Sequence, residues 1–116
     1  MSGKISTAIV DFQENLEILN QEALQERFDQ LKSQWKQDTE MLSSISRIIK
    51  HPAYQKIILI GERAIPLILS DLQKESDHWF YALTKLTKTD PVKPEDDFNQ
   101  AVEVWLNWGK QQGYIQ

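Results

Sequence analysis

Cysteine is absent from the 116-residue chain, which removes disulfide staples, thiolate metal sites and a thiol nucleophile at once. Glycine and proline, four of each, are too few for a collagen-like or low-complexity segment. The longest apolar stretch, Ile57 to Ile60, has four residues, far from the roughly twenty that a membrane-spanning helix requires. The opening MSGKISTAIV also lacks the apolar core of a signal peptide. A cytoplasmic setting without membrane contact is the expectation. Two histidines fall short of the three or four ligands typical of zinc sites. No cofactor or metal is expected.

Charge of one sign is also in deficit. Thirteen basic residues against 17 acidic ones give a net −4, which opposes attraction to a phosphate backbone, so direct nucleic-acid binding is not expected. The charge is uneven: residues 11–40 are strongly acidic, whereas Arg47, Lys50, Lys56, Arg63 and Lys74 make the next segment basic. That segment either forms a local basic patch or lies against the acidic one before it.

What is present is apolar periodicity. Hydrophobic residues make up 41% of the chain and charged ones 26%, enough for one buried core in residues 1–116. Ile9, Phe12, Leu16, Leu19 and Ala23 step by three and four, the stripe of an amphipathic helix. Asp11 and Glu14 have capping-box spacing, predicting a start near Asp11 after an N-terminus, residues 1–10, that is a candidate for disorder. After Ala23 the stripe slips by one residue to Leu24, Phe28, Leu31 and Trp35. Asp38-Thr39 offers a cap, so helices over 11–37 and 40–50 are expected, with one bent helix as the alternative. Residues 11–50 form the N-terminal helices in either case.

His51-Pro52 opens a further helix that Gly61 closes, and Pro66 fits only the first turn of the apolar helix beginning near Arg63. Ser76 or Asp77 is the expected cap of a helix running to about Thr87. After a Pro-rich loop, Pro94 is expected to open the last helix, with Glu95, Asp96 and Asp97 at its positive end, Gly109 weakening it and Gly113-Tyr114 ending it. No segment alternates in the manner of a strand. The fold class is all-α, with five to six helices.

His51 to Leu72, HPAYQKIILIGERAIPLILSDL, resembles a HEAT-type helical pair, and Asp77 to Pro91 resembles the first helix of the next repeat. The stretch from His51 to the end is also similar to a group of short bacterial proteins that share the His-Pro-Ala-Tyr-Gln, Asp-His-Trp-Phe and Trp-x-x-Trp-Gly phrases, a likeness that brings no activity with it. Lys88 departs from the pattern, where a glycine is expected. The HEAT resemblance implies stacked helical pairs over 51–116, capped by a long N-terminal helix, and a role in binding other proteins.

Candidate chemistry is sparse. Asp77 and His78 are adjacent on a helix and point about 100° apart, so a catalytic dyad is not expected. The cluster Asp90, Glu95, Asp96 and Asp97 lacks the spacing of a calcium loop. Trp79, Phe80 and Tyr81 cannot all face one core, so at least one must approach the surface. Trp79, Tyr81, His78, His51, Tyr54 and Trp35 are the candidate interaction residues. The expected function is a non-catalytic protein-interaction module, its partner another protein or a second copy, with Leu24 to Trp35 as a candidate dimer seam. The alternative is an antitoxin-like or regulatory protein whose acidic helix masks a basic, nucleic-acid-binding partner.

Overall fold

The computed structural model describes residues 2–116, with side chains from Phe12 onward. Among the described residues there are six helices and no strand: α1 (Ser2–Thr39), α2 (Ile45–Ile49), α3 (Pro52–Ile60), α4 (Ala64–Lys74), α5 (Phe80–Thr87) and α6 (Phe98–Gln111). At 1.5 Å per residue α1 is about 57 Å long and supplies most of the 63 Å long axis. Helix α1 packs chiefly on α3, α4 packs on α6, and α5 packs equally on α3 and α4.

Local chemistry fixes most of the boundaries. Gly61 takes a positive φ of 88° after α3, and Pro66 lies in the first turn of α4, where no intrahelical N–H bond is lost. Helix α6 ends in a Schellman arrangement, with the N–H of Tyr114 donating to Gly109 O and that of Gly113 to Lys110 O. Gly113 has φ 81°, and Tyr114 folds back to stack on Trp108 at 5.7 Å. Gly109 does not break α6. A Cβ there would stand 2.7 Å from Leu69 Cδ1, so its absence lets α6 lie close against α4.

Several expected starts are displaced. The backbone of α1 is helical from Ser2 rather than Asp11; the capping contact of Asp11 and the side chains of residues 1–10 lie outside the described ones. Two helices, the expected arrangement and not the single bent one, occupy residues 28–50, but the second begins at Ile45 and Asp38-Thr39 is not the cap between them. Thr39 Oγ1 donates back to Trp35 O at 2.6 Å and Asp38 bonds His51, leaving Ser44 to cap α2. Neither Ser76 nor Asp77 caps α5, whose N-cap position is Trp79. Pro94 precedes α6; Asp97 is its cap, in a reciprocal capping box with Gln100.

Lys88 ends α5 in the left-handed region, φ 57° and ψ 29°, the position where the repeat pattern calls for glycine. A left-handed side-chain-bearing residue costs roughly 1–2 kcal/mol, against roughly 0.5–1 for the extra unfolded-state freedom of glycine. Lys88→Gly should therefore raise unfolding stability by about 0.5–1 kcal/mol, measured by urea denaturation; a loss would mean that the lysine side chain holds the turn.

Candidate interaction surface

Four aromatic residues meet in space. Trp35, Tyr54 and Trp79 pack together with centroid separations of 4.7–5.7 Å, and Phe28 stacks on Trp79 at 5.8 Å. All four are buried, Tyr54 and Trp79 completely. Trp35, Tyr54 and Trp79 are therefore core residues and do not form an interaction surface. The burial of Phe28, Leu31 and Trp35 likewise removes Leu24 to Trp35 as a dimer seam, since that face of α1 is already packed against its own chain.

These rings also carry polar work. The Trp35 indole N–H donates to Ile48 O at 2.9 Å, tying α2 to α1. The Tyr54 hydroxyl donates to His78 O and accepts the N–H of Ala82, both at 2.9 Å, and so caps α5 in place of a local side chain. Burial, together with the nearby Tyr81 and Asp77, raises the Tyr54 hydroxyl above its ordinary pKa against the opposing bond from Ala82. The Trp79 indole N–H donates to Asp71 Oδ2 at 2.9 Å.

Asp71 is a buried acid, 6% exposed, that also accepts from Lys32 at 2.9 Å and Lys36 at 3.2 Å. Lys36 reaches Glu75 and Asp77 as well. Burial alone would push the Asp71 carboxyl up; the bonds from Lys32 and Trp79 and the charges of Lys36 and Lys32 outweigh it, leaving the carboxyl below its ordinary 3.8. For Lys36 burial pulls down, but the charge and bond of Asp71, with Asp77 and Glu75, leave the ammonium above its ordinary value. The acidic segment thus docks through its own lysines. The basic segment does lie against the acidic one, α3 being the chief neighbour of α1, but among the described residues Arg47, Lys50, Lys56, Arg63 and Lys74 form no ion pair with it, and Arg63 instead donates to Gln21 at 3.1 Å.

The other candidates separate in the same way. His51 is half-buried; its Nδ1 accepts the N–H of Ala53 at 3.0 Å and its Nε2 lies 2.9 Å from Asp38, so it caps α3 and joins it to α1. His78 is half-buried and meets Asp77 through its own backbone N–H, at 2.8 Å, with its ring edge toward Phe98. Tyr81 is the aromatic of its triplet that reaches solvent, 40% exposed, with Lys85 over its ring. Asp90, Asp96 and Asp97 accept nearby backbone N–H groups. Among the described residues no group of three or more His, Asp or Glu is placed to hold a metal ion.

The exposed surface with a pattern lies elsewhere. Phe12, Leu16 and Leu19 on α1 are 64%, 43% and 59% exposed, and Ala23 beside them is also exposed. At about 100° per residue these four share one face, turned about 120° from the face of Leu24, Phe28, Leu31 and Trp35 that enters the core. The one-residue slip after Ala23 is what turns the first stripe away from the body of the protein. The slip is legible in the sequence; its consequence is not. No helix among the described residues is long and apolar enough to cross a membrane. The chain matches no described protein family, no curated protein and no solved structure at a significant level.

Three measurements follow from this geometry. Asp71→Asn should cost about 2–3 kcal/mol, somewhat under the roughly 3–5 of a fully buried pair because the lysines keep some water contact. Because the folded carboxyl titrates below its unfolded value, its contribution is complete above about pH 4 and lost as pH falls through the folded value. Urea denaturation from neutral pH to about pH 3 should show a flatter acid limb for Asp71→Asn than for the parent chain. Trp105 is also fully buried, but its indole N–H has no acceptor among the described residues. Trp105→Phe should therefore cost at least about 1 kcal/mol less than Trp35→Phe or Trp79→Phe, each of which abandons a buried acceptor.

Proposed function

We propose that the protein is a non-catalytic interaction module in which HEAT-like helical pairs, α3 with α4 and α5 with α6, are capped by α1, whose N-terminal half carries the contact. The packing of α3 on α5 and of α4 on α6, corresponding members of successive pairs, supports the repeat reading, with α1 covering α3 and α5 also meeting α4. The observation that carries the function is the row Phe12, Leu16 and Leu19, apolar and exposed on one face of a helix that extends past its own core. Exposed apolar residues scattered singly need no explanation, whereas a row in helical register is the form in which a helix presents itself to another protein. The partner in this reading is a protein, in a cytoplasmic setting that suits a chain without cysteine.

Masking of a basic partner by the acidic helix fits the arrangement less well. Glu14, Glu17, Glu22, Glu26 and Asp29 spread over about half the circumference of α1 and form no single row.

Leu16→Glu combined with Leu19→Glu tests the proposal. Both side chains are exposed, so stability should change by no more than about 0.5 kcal/mol, while proteins retained from source-cell extract by the full-length chain should be lost. Retention of the same proteins by both chains, or a large loss of stability in the variant, would overturn it.

A further inference from the structure

We infer that the exposed stripe of α1 pairs with the same stripe of a second copy of this chain, as a parallel, in-register two-helix seam. The inference rests on the interaction reading above and names its partner. The body of the chain leaves the stripe open, because a straight helix cannot turn Leu16 and Leu19 through 120° to reach the core that Phe28 and Leu31 enter. Phe12, Leu16, Leu19 and Ala23 step by four, three and four, the alternation of core positions in a coiled coil, and the sequence continues that spacing upstream at Ile9 and Ile5.

Charge complementarity selects a second copy and sets the direction. Glu14 and Glu17, which would repel their counterparts across a seam, fall on the outer side of the helix. The flanking positions are Asn15 and Glu22 on one edge and Asn20 and Arg27 on the other. In a parallel pair each residue of the first edge faces the second-edge residue five places later on its neighbour. That register sets Asn15 opposite Asn20 of the second copy and Glu22 opposite Arg27 of the second copy. Glu22 and Arg27 are both exposed and, among the described residues, join no ion pair within their own chain. An antiparallel pair would set each edge against the same edge of its neighbour, so Glu22 and Arg27 would not meet. Glu26 occupies the next core position and closes the seam where Leu24 begins to face the chain's own core.

The absence of native cysteine makes the test clean. By light scattering, the full-length chain should approach twice its 13.6 kDa mass as its concentration is raised, and the Leu16→Glu, Leu19→Glu variant should remain at 13.6 kDa. Mild oxidation should cross-link Leu19→Cys into a dimer and leave Glu14→Cys monomeric. Arg27→Glu should weaken self-association about fivefold, and adding Glu22→Arg should restore it. A wild-type chain monomeric at every concentration, a dimer that survives the double glutamate variant, or equal cross-linking at the two cysteine positions would overturn the inference. If the monomeric chain still retains another protein through Leu16 and Leu19, only self-pairing falls; if that retention is also indifferent to the stripe, the interaction reading falls with it.

Discussion

A single buried carboxylate organises the contact between the long helix and everything that follows it. Asp71, on α4, receives Lys32 and Lys36 from α1 and the indole N–H of Trp79 from the entrance of α5. An acid removed from water in this way must find compensating donors, and here the lysines come from a helix more than thirty residues away in sequence and the indole from eight residues on. Their geometry sets the position of α1 over residues 32–36, and that position presses Phe28 and Trp35 onto Tyr54 and Trp79. The ion cluster and the aromatic cluster are consequently one device. The polar bonds fix orientation, and the rings supply the buried apolar area.

The same anchoring explains why the N-terminal half of α1 stands apart. The helix is held from Leu24 onward, and the slip in its apolar pattern occurs immediately before that point. Upstream, the apolar residues continue in helical register but on another face. A helix is stiff over this length, so the two faces cannot be reconciled by bending toward the core. The exposed row of Phe12, Leu16 and Leu19 is thus a geometric result of the sequence phase and the docking of the C-terminal half.

How far the sequence could be read depended on the range of each interaction. The closures of α3 and α6 were legible because Gly61 and Gly113 supply positive φ within the turn itself, and the start of α4 because Pro66 tolerates only one kind of position. The cap of α5 was not legible, because it is a hydroxyl from Tyr54, 28 residues before the N–H that it accepts. Asp38 and Thr39 look like cap residues in the sequence, but each has a better partner, His51 for one and the preceding turn for the other. The aromatic residues misled in a related way: their number suggests an interaction surface, yet Trp35, Tyr54 and Trp79 satisfy one another inside the core.

By itself, the sequence determined an all-helical chain, the approximate course of most of its helices and the two apolar phases of the first, because spacing of three and four residues and local turn chemistry act between near neighbours. Only the tertiary structure decided which phase is buried, where Asp71 finds its cations, and that Tyr81, not Trp79, meets solvent. Those outcomes depend on contacts across tens of residues, whose energies no local pattern records.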